Sequence, residues 1–226
     1  MSVGGRRLYD LPFLGRRCGL TNEHVTVERY ALSFTSGALL SREAVIAAPL
    51  YLRERDWARV RELIRENNLL QSRTISSGFR LAREVAQRLA VLTDNELELL
   101  IEATATERGH LMWVAACRRY TLIGDFAEEV VRERFILLTP TLSYDDFDSF
   151  VRGKALWHSE LAELKDSTMQ KIRSTMFRML TEAGLLSERG DILQAVPSER
   201  VIDALGVSRP SDVRFLPTIV PGRDTR

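Results

Sequence analysis

Apolar positions recur every three or four residues along most of the chain, the spacing of helices with one buried side. In the stretch Ser167 to Leu186, "STMQKIRSTMFRMLTEAGLL", Met169, Ile172, Met176, Met179/Leu180 and Ala183 share one side. Gln170, Lys171, Ser174, Arg178 and Thr181 share the other, all hydrogen-bond formers and none acidic. Asp166 or Ser167 is expected to cap this helix and Gly184 to end it, since glycine tolerates left-handed backbone.

Upstream, Ser41 is placed to cap a helix through "REAVIAAPLYL", with Pro49 bending or ending it. Asp56 caps "WARVRELIREN", where Trp57, Val60, Leu63 and Ile64 form the inward stripe, and a turn follows at Asn67-Asn68. A third helix lies in "RTISSGFRLAREVAQRLAVL", with Ile75, Phe79, Ala82, Val85/Ala86 and Leu89 on its inner side. Thr93 with Glu96, and Thr104 with Glu107, are capping boxes, in which hydroxyl and carboxylate satisfy the free amides of a first turn reciprocally. Gly124 interrupts a pattern that resumes in "DFAEEVVRERFILL" and closes at Pro140. Ser143 starts the next helix and Ser159 a short one. After Gly184, two apolar runs around Arg189-Gly190-Asp191 read as a β-hairpin, and "SERVIDAL" as a last short helix.

This order predicts a mainly α protein, a multi-helix bundle. It would contain an N-terminal tri-helical, helix-turn-helix-like unit and a C-terminal winged-helix-like unit carrying one short β-hairpin. The corresponding divisions are 1–30, an extension that is flexible or peripherally docked; 31–92, the N-terminal helical unit; 93–157, a central acidic region; 158–205, the winged-helix-like unit; and 206–226, a Pro-containing tail.

Charge sharpens the picture. The total is only +1, but nine Arg face five acids from Arg53 to Arg88, five Arg face twelve acids from Asp94 to Asp148, and five bases face three acids from Lys165 to Arg189. Two basic segments therefore flank an acidic one, and such segregation can focus potential on a face even when the net charge is near zero. Lysine occurs only at positions 154, 165 and 171, so the remaining bases are arginine, suited to bidentate phosphate recognition.

Both basic segments coincide with a predicted helix-turn-helix, giving two candidate nucleic-acid faces. In the first, Arg73, Ser76, Ser77, Arg80 and Gln87 lie off the apolar stripe, with Arg83 and Arg88 flanking it. Small hydroxyl residues beside arginine let a phosphate backbone approach closely. In the second, Gln170, Lys171, Ser174 and Arg178 would face a groove, with Lys165, Arg173 and Arg189 as phosphate contacts. A solvated helix face is the plain alternative for each.

Chemistry for catalysis is sparse. His24, His110 and His158 have no partner at metal-ligand spacing, and "YDDFD" (Asp145, Asp146, Asp148) lacks the glycine turn and downstream ligand of a cation loop. It reads instead as an acid-rich helix start. No phosphate-cradling loop, nucleophile elbow or HExxH occurs. Cys18 and Cys117 have no CxxC spacing, which fits a reducing compartment. The longest apolar runs, "VIAAPLYL" and "LMWVAAC", fall well short of the ~20 residues of a membrane span. A soluble, cytoplasmic protein without metal or cofactor is expected.

Three segments in colinear order, "FTSGALL", "LIGDFAEEVVRERF" and "STMQKIRSTMFRMLTEAGLLS", resemble the BrxA family of BREX (bacteriophage exclusion) phage-defence systems, over roughly Phe34 to Ala204. The resemblance implies a small, mostly helical, non-enzymatic component encoded beside a methyltransferase, an ATPase and a phosphatase-like protein, and it implies double-stranded DNA binding. It supplies no catalytic or metal residue and no map of DNA contacts. Family members have sometimes been labelled inner-membrane proteins, which the absence of an apolar span here contradicts. Two other functions fit the same residues: a scaffold for other BREX components docking through the acidic middle, and an RNA-binding helical protein of antitermination type.

Overall fold

Helix starts follow local hydrogen bonding, and the computed structural model describes them within residues 29–34, 38–208 and 210–219. Helices α1 (Ser41–Glu54), α2 (Trp57–Glu66) and α3 (Ile75–Leu89) come first. Then follow α4 (Asp94–Glu102), α5 (Ala105–Arg119) and α6 (Thr121–Phe126), the last running through a π-helical turn (Ala127–Arg132) into α7 (Glu133–Ile136). Helices α8 (Tyr144–Lys154), α9 (Ser159–Ala162), α10 (Asp166–Glu182) and α11 (Glu199–Leu205) complete the set, with a 3-10 turn at Asp212–Phe215. The protein is mainly helical. Residues 1–28, including Cys18, His24 and nearly all of the expected extension, lie outside the described residues, as do Thr35 to Gly37 of "FTSGALL".

The caps at Asp56, Thr93, Thr104 and Ser143 form as the sequence predicts, the last with Asp146 as its reciprocal partner. Three boundaries differ. Helix α1 starts at Ser41 without a side-chain cap, because Leu40 turns the chain in a left-handed conformation (φ 63°). Pro49 lies inside that helix without ending it: Ala44, Ala47 and Ala48 are buried in the turns before it, and packing with α2, α3 and α4 offsets one lost hydrogen bond. Lys165, not Asp166 or Ser167, occupies the cap position of α10, and no side chain caps it.

Helix α5 is the hub. Residues Leu111 to Cys117 are all buried, so this helix is apolar nearly all round and must lie inside. It contacts α1, α3, α4, α6 and α10. Gly109 permits the approach of α10: a β-carbon there would sit 3.2 Å from the Ala183 carbonyl oxygen. The segment read as a tail also joins this core, for Val213, Phe215 and Leu216 are buried and Trp113 Nε1 donates to the Phe215 carbonyl at 2.9 Å. Its few apolar residues are too irregularly spaced to announce this.

Buried residues from Tyr30 to Leu216 form one cluster. In α10 the expected inner side is buried, with Met169 half-covered, and Gln170, Lys171, Ser174, Arg178 and Thr181 are exposed. In α3 the inner stripe holds only from Ala82 onward. Ile75 is 79% exposed and Phe79 48%, since α2 leaves the first turns of α3 uncovered. Gly124 does not interrupt a helix; it lies within α6, where a β-carbon would meet the Cys117 carbonyl oxygen at 3.1 Å. The hairpin expected after Gly184 is reduced. Among the described residues, pairing consists of two isolated antiparallel bridges, Leu186 with Ile192 and Thr141 with Asp191. Gly190 turns this segment at φ 89°, and Leu142 N donates to its carbonyl at 2.7 Å.

Candidate nucleic-acid interface

The first basic face is built by the neighbouring helices α2 and α3. Asp56 caps α2 by accepting from Ala58 N at 2.7 Å, and Val60 and Ile64 are buried, which turns Arg61 and Arg65 outward. Across the groove, burial of Ala82, Val85 and Leu89 turns Arg80 and Arg83 outward. These four arginines, with Ala58, Glu62, Phe79 and Ala82, line a hollow of about 460 Å³. A second hollow of about 320 Å³ adjoins it, sharing Arg65 and adding Asn68, Ser72, Arg73, Thr74, Ile75 and Gly78. Arg61, Arg73, Arg80 and Arg83 make no side-chain hydrogen bond or ion pair among the described residues, and the Arg65 guanidinium lies 5.2 Å from the Phe79 ring centroid. Exposed guanidiniums without internal partners keep their donors for an anion.

Two residues assigned to this face behave otherwise. Ser77 is committed locally, forming a reciprocal box with Thr74: each backbone N–H reaches the other's hydroxyl, and Ser77 Oγ donates to the Thr74 carbonyl at 2.8 Å. Arg88 is fully buried. It pairs with Glu84 at 2.9 Å and donates to the Ala38 carbonyl, while the Tyr120 hydroxyl donates to Glu84 Oε1 at 2.7 Å. Burial and the Glu84 carboxylate push the Tyr120 phenol up to about 12. Ser76 is exposed in the first turn of α3, and Arg73 just ahead of it.

The second face divides. Ser174, Arg178 and Arg189 converge on a groove of about 430 Å³ between α8, α10 and the turn at 187–190, with Tyr144, Phe177, Thr181 and Glu188. Gln170 and Arg173 line a different hollow beside Asp148, Arg152 and Asp166. Arg173 is held by an ion pair to Asp148 and stacks 4.5 Å from the Tyr144 ring centroid, so its charge is already matched. Lys165 and Lys171 are exposed and line neither hollow. Arg178 has only a long contact of 3.9 Å with Glu182.

A short strap ties the two faces into one frame. Leu39 N donates to Glu182 Oε2 of α10 at 2.8 Å, and the neighbouring Ala38 carbonyl accepts from Arg88 of α3. Arg61, Arg65, Asn68 and the exposed Phe79 are functional candidates that helix-face reasoning on α3 alone passes over. The outward positions of Arg61 and Arg65, four apart on α2, carried the signal. No helix among the described residues is long and apolar enough to cross a membrane.

The chain resembles known proteins over most of its length. It is 30% identical over 175 residues to the BREX protein BrxA of Escherichia coli O9:H4 (strain HS), covering 75% of this chain and 82% of that one. It is 26% identical over 163 residues to the BREX protein BrxA of Paramagnetospirillum magneticum (strain ATCC 700264 / AMB-1), covering 71% and 80%. It shares its fold with a crystal structure of an uncharacterized protein from Magnetospirillum magneticum, at a TM-score of 0.70 and 24% identity over 84% of this chain and 98% of that one. The BrxA family model matches residues 28–207, and the chain therefore belongs to the BrxA family.

Proposed function

We propose that this protein is a non-enzymatic, double-stranded DNA-binding component of a BREX phage-defence system, acting in the cytoplasm with little sequence preference. The observation that carries this reading is Arg61, Arg73, Arg80 and Arg83 on and beside α2 and α3, which make no side-chain hydrogen bond or ion pair among the described residues. Several other arginines are internally matched, for example Arg118 with Glu96 at 2.6 Å and Asp212 at 2.8 Å. In this reading α1 to α3 act as a helix-turn-helix-like unit, and α8 to α10 with the turn at 187–190 as a winged-helix-like unit whose α10 lies along the duplex. The methyltransferase, ATPase and phosphatase-like protein of the system are its expected protein partners.

A second reading rests on a different observation. Ile136, Leu137 and Leu138 are exposed beside the acidic π-helical turn, and Leu156 and Trp157 are exposed after α8. Apolar residues displayed in series suit protein docking, so the central region is assigned to contact with other BREX components.

The test is fluorescence anisotropy of a labelled ~20-base-pair duplex titrated with protein at several salt concentrations, in parallel with single-stranded RNA of equal length. Micromolar or tighter duplex binding that weakens steeply with salt is expected. Flat, negligible duplex binding at low salt would leave the scaffold reading, and preference for the RNA would favour an antitermination-type role.

A further inference from the structure

The α2/α3 face is not a plain basic surface. Ile75 and Phe79 lie one helical turn apart, 79% and 48% exposed, on the side of α3 whose continuation is buried. Phe79 shares its hollow with Arg61, Arg65, Arg80 and Arg83, Ile75 lines the adjoining one, and the Arg65 guanidinium lies 5.2 Å from the Phe79 ring centroid. Intact duplex presents phosphates and groove edges to a protein and has no use for an aromatic ring in the lining of a cationic hollow. An unstacked base does, because every base has a π-face that an aromatic or guanidinium plane can cover.

Glu62 points to the same ligand. Its carboxylate lines the hollow, with Oε2 accepting from Arg59 at 3.0 Å. A carboxylate repels a phosphate but accepts from the amino group of a base edge. The hollow's lining thus offers cations for the backbone, an acceptor, and apolar Phe79, Ala58 and Ala82 for a ring. At about 460 Å³ it falls within the size range of small-ligand pockets, large enough for one nucleobase.

We propose that the α2/α3 hollow receives an unstacked nucleobase, so that the protein prefers duplex DNA bearing an extruded or bulged base over intact duplex. This rests on the reading of the face as a DNA interface and adds what it selects. Phe79 stacks on the base, Glu62 meets its edge, and Arg61, Arg80 and Arg83 hold the flanking phosphates.

The experiment compares the full chain on two duplexes of equal length and charge, one intact and one with a central single-base bulge, at fixed salt. Stacking strengths measured by alanine substitution translate to roughly tenfold tighter binding of the bulged duplex. Phe79→Ala should abolish that preference, while Phe79→Tyr should retain it. Circular dichroism and melting check that both variants fold, and the exposed ring makes folding tolerant of either change. Equal affinity of the native chain for both duplexes overturns the proposal while leaving the DNA interface standing. So does a preference that survives Phe79→Ala. Equal affinity combined with loss of BREX-protein capture by Phe79→Ala would assign the hollow to protein contact. No binding of either duplex at low salt overturns the interface and this inference together.

Discussion

Arg88 has the sequence signature of one more cation flanking α3, yet it is among the most deeply buried side chains in the molecule. Its position one turn after Glu84 on α3 creates an internal ion pair, and the Tyr120 hydroxyl completes the carboxylate's hydrogen bonding. The guanidinium also holds the Ala38 carbonyl, so the pair anchors the strap between α3 and α10. Removing one partner of a buried pair leaves the other charge without compensation. Arg88→Met is therefore expected to cost about 3–5 kcal/mol in urea unfolding, and the double variant with Glu84→Met markedly less, because both charges then disappear together. A single variant within about 1 kcal/mol of the native chain would show that the pair is not a structural anchor.

At the level of elements, hydrogen-bonded starts and one-sided helices were legible, and contacts between distant segments were not. The cap of α5 shows both. Thr104 and Glu107 announce themselves three letters apart, but Glu107 also accepts from Ser198 Oγ at 2.6 Å and Arg200 Nε at 2.7 Å, which ties α5 to the start of α11. Nothing in the spacing of residues 91 or 93 positions apart could reveal that. The exposed strip Ile75-Phe79 failed for a related reason: helical period assigns a side, and only the length of α2 decides how far along that side is covered. The Arg200 guanidinium, then Ser198 and the Thr104 amide, hold the Glu107 carboxyl well below the usual carboxylate range. Its folded pKa lies below the unfolded value of about 4.3, so the link stabilises fully above that pH and its contribution fades as pH falls below it. Arg200→Gln should lower the melting temperature at pH 7, and the gap to the native chain should shrink steadily below about pH 4. A gap of constant size down to pH 3 would place the effect of Arg200 outside this ion pair.

For the whole molecule, the charge map along the sequence and the charge map in space differ. Residues Asp94 to Asp148 carry a formal excess of seven acids. Several are matched by cations from outside that window: Glu107 by Arg200, Asp125 and Glu129 by Lys154, Glu128 by Arg214, and Asp148 by Arg173. The acidic middle is thus largely consumed in holding the fold together, and Arg173 is lost from the interface in the same transaction. Arg80 and Arg83 on α3, and Lys171 with weakly tethered Arg178 on α10, keep their charge for an external partner. This separation makes the salt dependence of binding diagnostic, since each neutralised phosphate contact contributes roughly 0.9 to the slope of log K against log salt. Arg80→Gln with Arg83→Gln should reduce the slope by about two, and Lys171→Gln with Arg178→Gln by about two more if both faces hold one duplex. Should the α10 pair leave the slope unchanged in a folded protein, duplex contact belongs to α2 and α3 alone, and α10 supports the frame that presents them. If neither pair changes the slope, the unpartnered cations are not phosphate contacts, and the DNA interface proposed on these faces is wrong.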